Sequence, residues 1–284
     1  MVKIKKVTAL FMAVLTLITV GATSISAAGY DFPDGAVPVK VTLDGKPVLE
    51  GEAVIINSVT YVPVRSFSEL MGADDISWNA KTRTATVKKG SINIYLTSGA
   101  LYVGANGRYF FTVEKILNIN DRLFVPVRAI AEAFSTVVDW DNNTRTVVLT
   151  STKKTLVSGA DYYNSTDLYW LSRIISAEAS GESLVGQIAV GNVVLNRKAS
   201  KQYPNTVYGV IFDRKGGTQF SPVAMGTIYN TPSQSSIIAA KICLDGYSVD
   251  TRILFFMNPK IATSNWISQN RPYAFTIGNH KFYY

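Results

Sequence analysis

One cysteine and one histidine occur among the 284 residues. A lone cysteine excludes an intrachain disulfide. A lone histidine excludes the multi-histidine or Cys/His sets that hold zinc or copper within one chain. No metal and no cofactor is therefore expected. Charge is sparse too, at 17% of residues against 47% hydrophobic, a balance too apolar for a mainly disordered chain. Long apolar runs are missing except for Val7 to Val20, which is shorter than the roughly 20 residues of a spanning helix and includes Thr8, Thr16 and Thr19. Lys3, Lys5 and Lys6 precede this run and Ser26-Ala27-Ala28 follows it. These are the basic region, apolar region and small-residue cleavage site of a secretory signal. Residues 1–28 are expected to be removed, leaving a secreted protein with no stable membrane span. Without those three lysines the 28 basic residues become 25 against 20 acidic ones, a net +5. That balance suits an anionic polymer without specifying one, and no nucleic-acid partner is expected.

The length allows about two domains, and the first announces itself by repetition. Tyr61-Val62-Pro63-Val64-Arg65 returns as Phe124-Val125-Pro126-Val127-Arg128, 63 positions on. A short helical pattern follows each copy (Phe67, Leu70, Met71; then Ile130, Ala131, Phe134). Next come a tryptophan, Trp78 or Trp140, and a Thr-Arg-Thr turn, 82–84 or 144–146. One offset of 62–63 residues running through every landmark marks an internal duplication. Strand-like runs surround the helices at 39–41, 53–56, 84–87, 92–96 and 147–149, with Asp44-Gly45 and Asn142-Asn143 as turn signals. The expectation is an α+β module of antiparallel strands and two short helices. It has no acidic residue on an apolar face, no histidine and no phosphate loop. Arg65 and Arg128 recur at equivalent points, which suits pairing with a carbonyl or carboxylate in each half better than an anion site.

Residues 37–150 resemble the copper-amine-oxidase N-terminal-like domain, on the paired "[YF]VPVR…W…TRT" pattern. That module is the stalk of amine oxidases, and the resemblance implies a spacer or wall-associating module that reaches anionic wall polymers. The three copper-binding histidines of the oxidase are absent, so no copper and no oxidation are implied.

After a polar stretch at 151–166, read as a linker, the pattern over 167–284 becomes helical. Thr166 or Asp167 is a reasonable N-cap. Leu168, Leu171, Ile174 and Ile175 form a buried stripe. Glu178 lies three, four and seven residues beyond Ile175, Ile174 and Leu171, on the same stripe, and Gly181 offers a C-cap. A second helix is expected from about Ser183 to Arg197. Desolvation disfavours an ionised carboxylate and raises its pKa, as a proton donor working near neutral pH requires. The bland reading of Glu178 is a structural carboxylate paired with Arg173, Arg197 or backbone amides. Glu182, in the turn between the helices, is either a cap for the second helix or a second carboxylate of a site.

The segments "AEASGES…GQIAVGNVVLNR" (177–197), "YPNTVYGVIF" (203–212), "QFSP" (219–222), "FFMNP" (255–259), "TSNWI" (263–267) and "TIGNHKFY" (276–283) follow one another in order. Together they resemble the SleB/CwlJ-type cell-wall hydrolase family, the spore-cortex-lytic enzymes. The resemblance implies a lysozyme-like, mainly helical catalytic domain with a small β part. It implies cleavage of peptidoglycan glycan strands between N-acetylmuramic acid and N-acetylglucosamine, often as a lytic transglycosylase. It also implies that the catalytic residue is the first Glu of "EAxGE", Glu178. Two features depart from the family: the helical peptidoglycan-binding repeat of cortex-lytic members is replaced by the stalk-like module, and "FFMNP" stands for a more usual Tyr-Asn-Pro.

An ordinary glycosidase uses two carboxylates. A transglycosylase lets the muramoyl 6-hydroxyl capture the oxocarbenium-like centre, so one Glu can protonate the leaving oxygen and then deprotonate that hydroxyl. No motif marks a second acid among Asp161, Asp167, Asp213, Asp245 and Asp250. Gln219, Ser221, Asn258, Trp266 and Tyr273 have the donors and aromatic faces of sugar subsites, and Phe220 is expected in the core. Asn196 and Arg197 are read as braces for the second helix. A rival reading pairs Cys243 with His280 as a thiol dyad, although a lone helical Cys is usually a small core residue. The leading expectation is a secreted peptidoglycan lytic transglycosylase. The alternatives are a two-carboxylate muramidase using Glu182, or a non-catalytic wall-binding protein with the same fold.

Overall fold

The computed structural model describes residues 30, 32–215 and 217–284, and the signal-peptide reading of 1–28 lies outside them. The N-terminal part opens with β1 (Val37–Pro38), β2 (Lys40–Leu43), β3 (Lys46–Val48), β4 (Val54–Ile56), β5 (Val59–Pro63), α1 (Val64–Leu70), β6 (Asp75–Asn79) and β7 (Thr84–Lys89). After it come β8 (Ile92–Thr97), β9 (Tyr102–Ala105), β10 (Arg108–Phe111), β11 (Leu117–Ile119), β12 (Arg122–Pro126), α2 (Val127–Ala133), β13 (Val137–Asp141) and β14 (Thr146–Thr150).

Alternation builds these sheets: Ala85 and Val87 of β7 and Ile92, Ile94 and Leu96 of β8 all face inward. Pro63 and Pro126 close their strands because proline has no N–H to continue the ladder, and a helix starts at the next residue. Neither short helix has a side-chain cap. Packing holds them instead, with Phe67 of α1 and Phe134, just beyond α2, 6.0 Å apart between ring centroids. β5 pairs antiparallel with β12, Val62 opposite Val125, at the centre of a sheet ordered β1-β4-β5-β12-β11. A second sheet runs β10-β9-β8-β7-β6 and a third β13-β14-β2-β3. The expectation of antiparallel strands needs one correction: β2 and β14 run parallel, Lys40 opposite Thr146 through Leu43 opposite Leu149. Parallel pairing needs a long crossover, and here almost the whole module lies between the two strands.

The mainly helical part holds α3 (Gly159–Tyr162), α4 (Ser165–Ala179), α5 (Leu184–Ala199), α6 (Val207–Ile211), α7 (Ser221–Met225), a 3-10 turn (Thr227–Tyr229) and α8 (Gln234–Leu244). It ends with β15 (Phe255–Met257), α9 (Trp266–Asn270), β16 (Tyr273–Ile277) and β17 (His280–Tyr283), the strands ordered β15-β17-β16. α4, α5 and α8 pack on one another over a core that includes Leu171, Ile174, Ile175, Ile188 and Val193. Gly191 of α5 permits this closeness, since a Cβ there would lie 2.8 Å from both Cys243 Sγ and Ile175 Cδ1. Asn192 is buried beside it and pins the loop after α8, donating to the Tyr247 carbonyl at 3.0 Å and accepting from Val249 N at 2.9 Å.

The two parts meet along a polar and aromatic seam. Arg108 of β10 bonds Asp245, just beyond α8, and Tyr163 donates its hydroxyl to the same carboxylate. Lys241 donates to the Gly107 carbonyl at 2.9 Å, Gly159 N to the Asn106 carbonyl at 2.8 Å, and the rings of Phe111 and Tyr247 lie 4.2 Å apart. The stretch read as a linker therefore contains α3 and two buried side chains, Leu156 and Tyr163. Among the described residues, no helix is long and apolar enough to cross a membrane.

Candidate active site

Glu178 stands one residue before the end of α4, beyond the fully buried Leu171, Ile174 and Ile175. The helix begins slightly earlier than expected: Asn164, rather than Thr166 or Asp167, is the N-cap and accepts from Asp167 N. Ser180, rather than Gly181, is the C-cap. Ser176 Oγ accepts from Ser233 N, the N-cap residue of α8, at 3.1 Å, which ties the last turn of α4 to the start of α8.

The Glu178 carboxyl is half-buried, and burial alone pushes its pKa up to about 7. Nothing offsets the desolvation, because no hydrogen bond or ion pair reaches it among the described residues. The suggested structural partners are engaged elsewhere. Arg173 lies 3.6 Å above the Tyr169 ring. Arg197 donates to the Leu254 carbonyl at 2.7 Å and to Gln219 Oε1 at 3.3 Å. A group that is protonated near neutral pH, weakly solvated and unpartnered can give up a proton and take one back.

Glu182 has the opposite environment. Asn279 donates to both of its oxygens, from Nδ2 at 2.9 Å and from its backbone N at 3.2 Å, and these bonds hold the carboxyl below the usual range. It is not the cap of α5. Ser183 fills that position, accepting from Gly186 N. Glu182 instead clamps the turn between β16 and β17. Its side chain is 9% exposed, with His280 Nδ1 3.8 Å away. Burial lowers the His280 pKa, so the imidazole is neutral near pH 7.

The remaining candidates divide between braces and open surface. Gln219 is used internally: it accepts from Arg197 and donates to the Lys215 and Gly217 carbonyls. Asn258 Oδ1 accepts from Lys260 N in the turn after β15. Ser221 is exposed at the start of α7, and Phe220 before it is core. Trp266, at the start of α9, and Tyr273, in β16, are about half exposed. Arg271 lies over Trp266 at 5.2 Å, and the Tyr273 hydroxyl meets Thr276 Oγ1 at 2.9 Å. None of the five bonds Glu178. Asn196 and Arg197 brace the 250–254 loop, through the Asp250, Ile253 and Leu254 carbonyls. The thiol dyad is not formed: Cys243 is buried against the Ile188 carbonyl and Asn192, and burial pushes its thiol pKa up.

An aromatic ridge escaped the reading of the sequence. Trp170 on α4 meets Tyr208 and Phe212 of the α6 region at 5.4 and 4.9 Å and Tyr229 of the 3-10 turn at 6.1 Å. Tyr208 and Tyr229 remain largely exposed. Trp170 precedes Glu178 by two helical turns, about 12 Å along the axis. Its partners are scattered in sequence, and only a double aromatic at 169–170 hinted at the ridge.

Comparison with known proteins agrees with this architecture. Residues 181–283 match the cell wall hydrolase family, and the C-terminal domain belongs to it; Glu178 lies three residues before the matched interval. Residues 42–149 match the copper amine oxidase N-terminal domain. Among individual relatives, the spore cortex-lytic enzyme of Bacillus cereus is 38% identical over 120 residues, 42% of this chain and 45% of that protein. That of Bacillus subtilis is 37% identical, over 38% of its length. The cell wall hydrolase CwlJ of Oceanobacillus iheyensis is 26% identical, over 84% of its length. The chain thus spans less than half the length of the cortex-lytic enzymes it matches. The solved catalytic domain of the germination-specific lytic transglycosylase SleB from Bacillus anthracis is 36% identical, covered in full by 45% of this chain, with a TM-score of 0.40.

Proposed function

We infer that this chain is a secreted peptidoglycan-degrading enzyme of the spore cortex or cell wall. It cuts glycan strands between N-acetylmuramic acid and N-acetylglucosamine as a lytic transglycosylase, with Glu178 as the acid that becomes the base. The observation carrying this reading is the unpartnered, half-buried Glu178 carboxyl, raised to about 7 at the end of α4. Protonated, it donates to the leaving glycosidic oxygen; ionised, it removes the proton of the muramoyl 6-hydroxyl. The similarity to proteins named as cortex-lytic and cell wall hydrolases supports the substrate class.

On this reading residues 1–28 are the signal, 37–150 an internally duplicated module that places the enzyme on the wall, 151–166 the connection and 167–284 the lysozyme-like catalytic domain. The ridge of Trp170, Tyr208 and Tyr229 is a sugar platform leading to Glu178, complemented by Trp266 and Tyr273. Gln219, Ser221 and Asn258 act at the edges of the subsites. One observation favours a two-carboxylate hydrolase instead. The pKa values of Glu178 and Glu182 move in opposite directions, as they do in an acid and its ionised partner. Against that reading, Asn279 occupies both oxygens of Glu182. The test is digestion of purified wall by the full chain, followed by mass spectrometry of the released fragments. Anhydro-muramoyl ends are expected; reducing muramoyl ends would establish the hydrolase, and no released glycan would sink the catalytic reading.

A further inference from the structure

The duplicated module contains two grooves, each of about 540 Å³. One is lined by Pro63, Val64 and Arg65 at the β5–α1 junction and by Ile76 and Trp78 of β6. The other is lined by Pro126, Val127 and Arg128 at the β12–α2 junction and by Val138 and Trp140 of β13. These sets correspond residue by residue at the 62–63-residue offset. The facing rims correspond as well, and each comes from the opposite copy: Asp121, Arg122 and Leu123 in the first groove, Ser58, Val59 and Thr60 in the second. The pairing of β5 with β12, with Val62 opposite Val125, creates both grooves at once.

We propose that these grooves are two equivalent glycan-binding sites, in which Trp78 with Arg65, and Trp140 with Arg128, hold peptidoglycan strands. The identification of the polymer rests on the catalytic reading above; the grooves themselves do not. Trp78 is 48% exposed and Trp140 39%, and neither ring stacks on an aromatic or cationic side chain among the described residues. Trp140 Nε1 donates to Asn142 Oδ1 at 2.9 Å, which braces the indole and leaves its face open. A flat apolar face beside a few polar groups is how a protein surface recognises a sugar ring.

The arginines are only loosely held. Arg65 meets Glu69 at 3.7 Å with both side chains largely exposed, and Arg128 reaches the Val138 carbonyl at 3.4 Å. Such contacts are easily exchanged for a ligand, and a guanidinium can donate to acetamido carbonyls and carboxylates of the wall strand. Charge balance favours a glycan over a phosphate-rich polyanion. Arg65 and Arg122 in the first groove stand against Glu52 and Asp121, with Glu52 held by Ser66 Oγ and the Tyr30 hydroxyl, and Arg128 in the second stands against Asp139. β5 runs from the rim of one groove to the floor of the other over its 5 residues, roughly 17 Å. That spacing lets one molecule grip the wall at two points, so that each grip raises the effective concentration for the other.

The test is co-sedimentation of the full chain with insoluble peptidoglycan stripped of its anionic polymers, in a Glu178→Gln background that leaves the wall intact. Trp78→Ala and Trp140→Ala should each weaken binding at least about tenfold by removing the second grip, and the double variant should weaken it further. Each should keep the melting temperature and circular dichroism of its parent. Binding that persists in the double variant overturns the proposal, as does binding seen only on wall that retains its anionic polymers. Loss of binding together with loss of the folded signal assigns the tryptophans to mere cover and also overturns it. Cleavage of a soluble glycan fragment by the Glu178-containing chain is scored separately. If cleavage is absent while binding stays tryptophan-dependent, the catalytic reading fails and the grooves stand; if cleavage is present while binding ignores both tryptophans, the grooves fail alone.

Discussion

At the scale of single residues, Glu178 makes the sharpest demand. Glu178→Gln keeps the shape and removes the ionisable group, so glycan release should fall by about a hundredfold or more. The stability effect has a definite sign. A carboxyl raised to about 7 in the fold, against about 4.3 in the unfolded chain, favours the native state fully below the lower value. That contribution is lost as pH rises through the upper one. The parent should therefore lose about 2–3 kcal/mol between pH 4.5 and 7.5 relative to the Gln variant, read as a widening gap in melting temperature. A gap that does not change with pH would mean that the carboxyl titrates normally. The same ionisation should give the pH–rate profile a descending limb near pH 7, since the acid must arrive protonated. Glu182→Gln separates the two mechanisms: a mild loss of activity with a clear loss of stability fits a clamp, and a loss matching that of Glu178→Gln fits a second catalytic carboxylate.

At the scale of elements, the turn between β16 and β17 is fastened to the turn between α4 and α5 by one side chain. Gly278 sits at φ +56°, and a Cβ there would lie 1.9 Å from Glu182 Oε2. Gly278→Ala should push the carboxylate off Asn279 and cost about 1–2 kcal/mol. Combined with Glu182→Ala, the two losses should fall short of additive in denaturant melts; full additivity would show that the contact does not couple them. This fastening was invisible in the sequence because its partners lie 97 positions apart. The stripe of Leu171, Ile174 and Ile175 was readable because helical periodicity is local, and it set Glu178 at the end of the buried face. The short helices α1 and α2 were readable from the spacing of Phe67, Leu70 and Met71 and of Ile130, Ala131 and Phe134. Helix ends were misjudged by one to three residues because Asn164 and Ser180 compete with equally plausible neighbours for the capping positions. The parallel pairing of β2 with β14 left no trace at all, since strands of 4 and 5 residues carry no local sign of a partner's direction.

At the scale of the molecule, the seam between the N-terminal module and the helical domain centres on a buried charge pair. Asp245 and Arg108 are 6% and 13% exposed, and each relies on the other for compensation of its charge. Arg108→Ala leaves the Asp245 carboxylate with Tyr163 alone, and removing one partner of such a pair costs about 3 kcal/mol. Calorimetry should show one transition for the parent and a lower or divided one for the variant. An unchanged single transition would mean that the seam contributes nothing to holding the domains together. The module also has a mechanical property. β2 lies near the start of the module and β14 at its end, and the two lie parallel. Tension applied between those ends loads their hydrogen bonds in shear, all at once, instead of peeling them one at a time. If the module anchors the chain to a wall as proposed, swelling of that wall would pull along this shear direction.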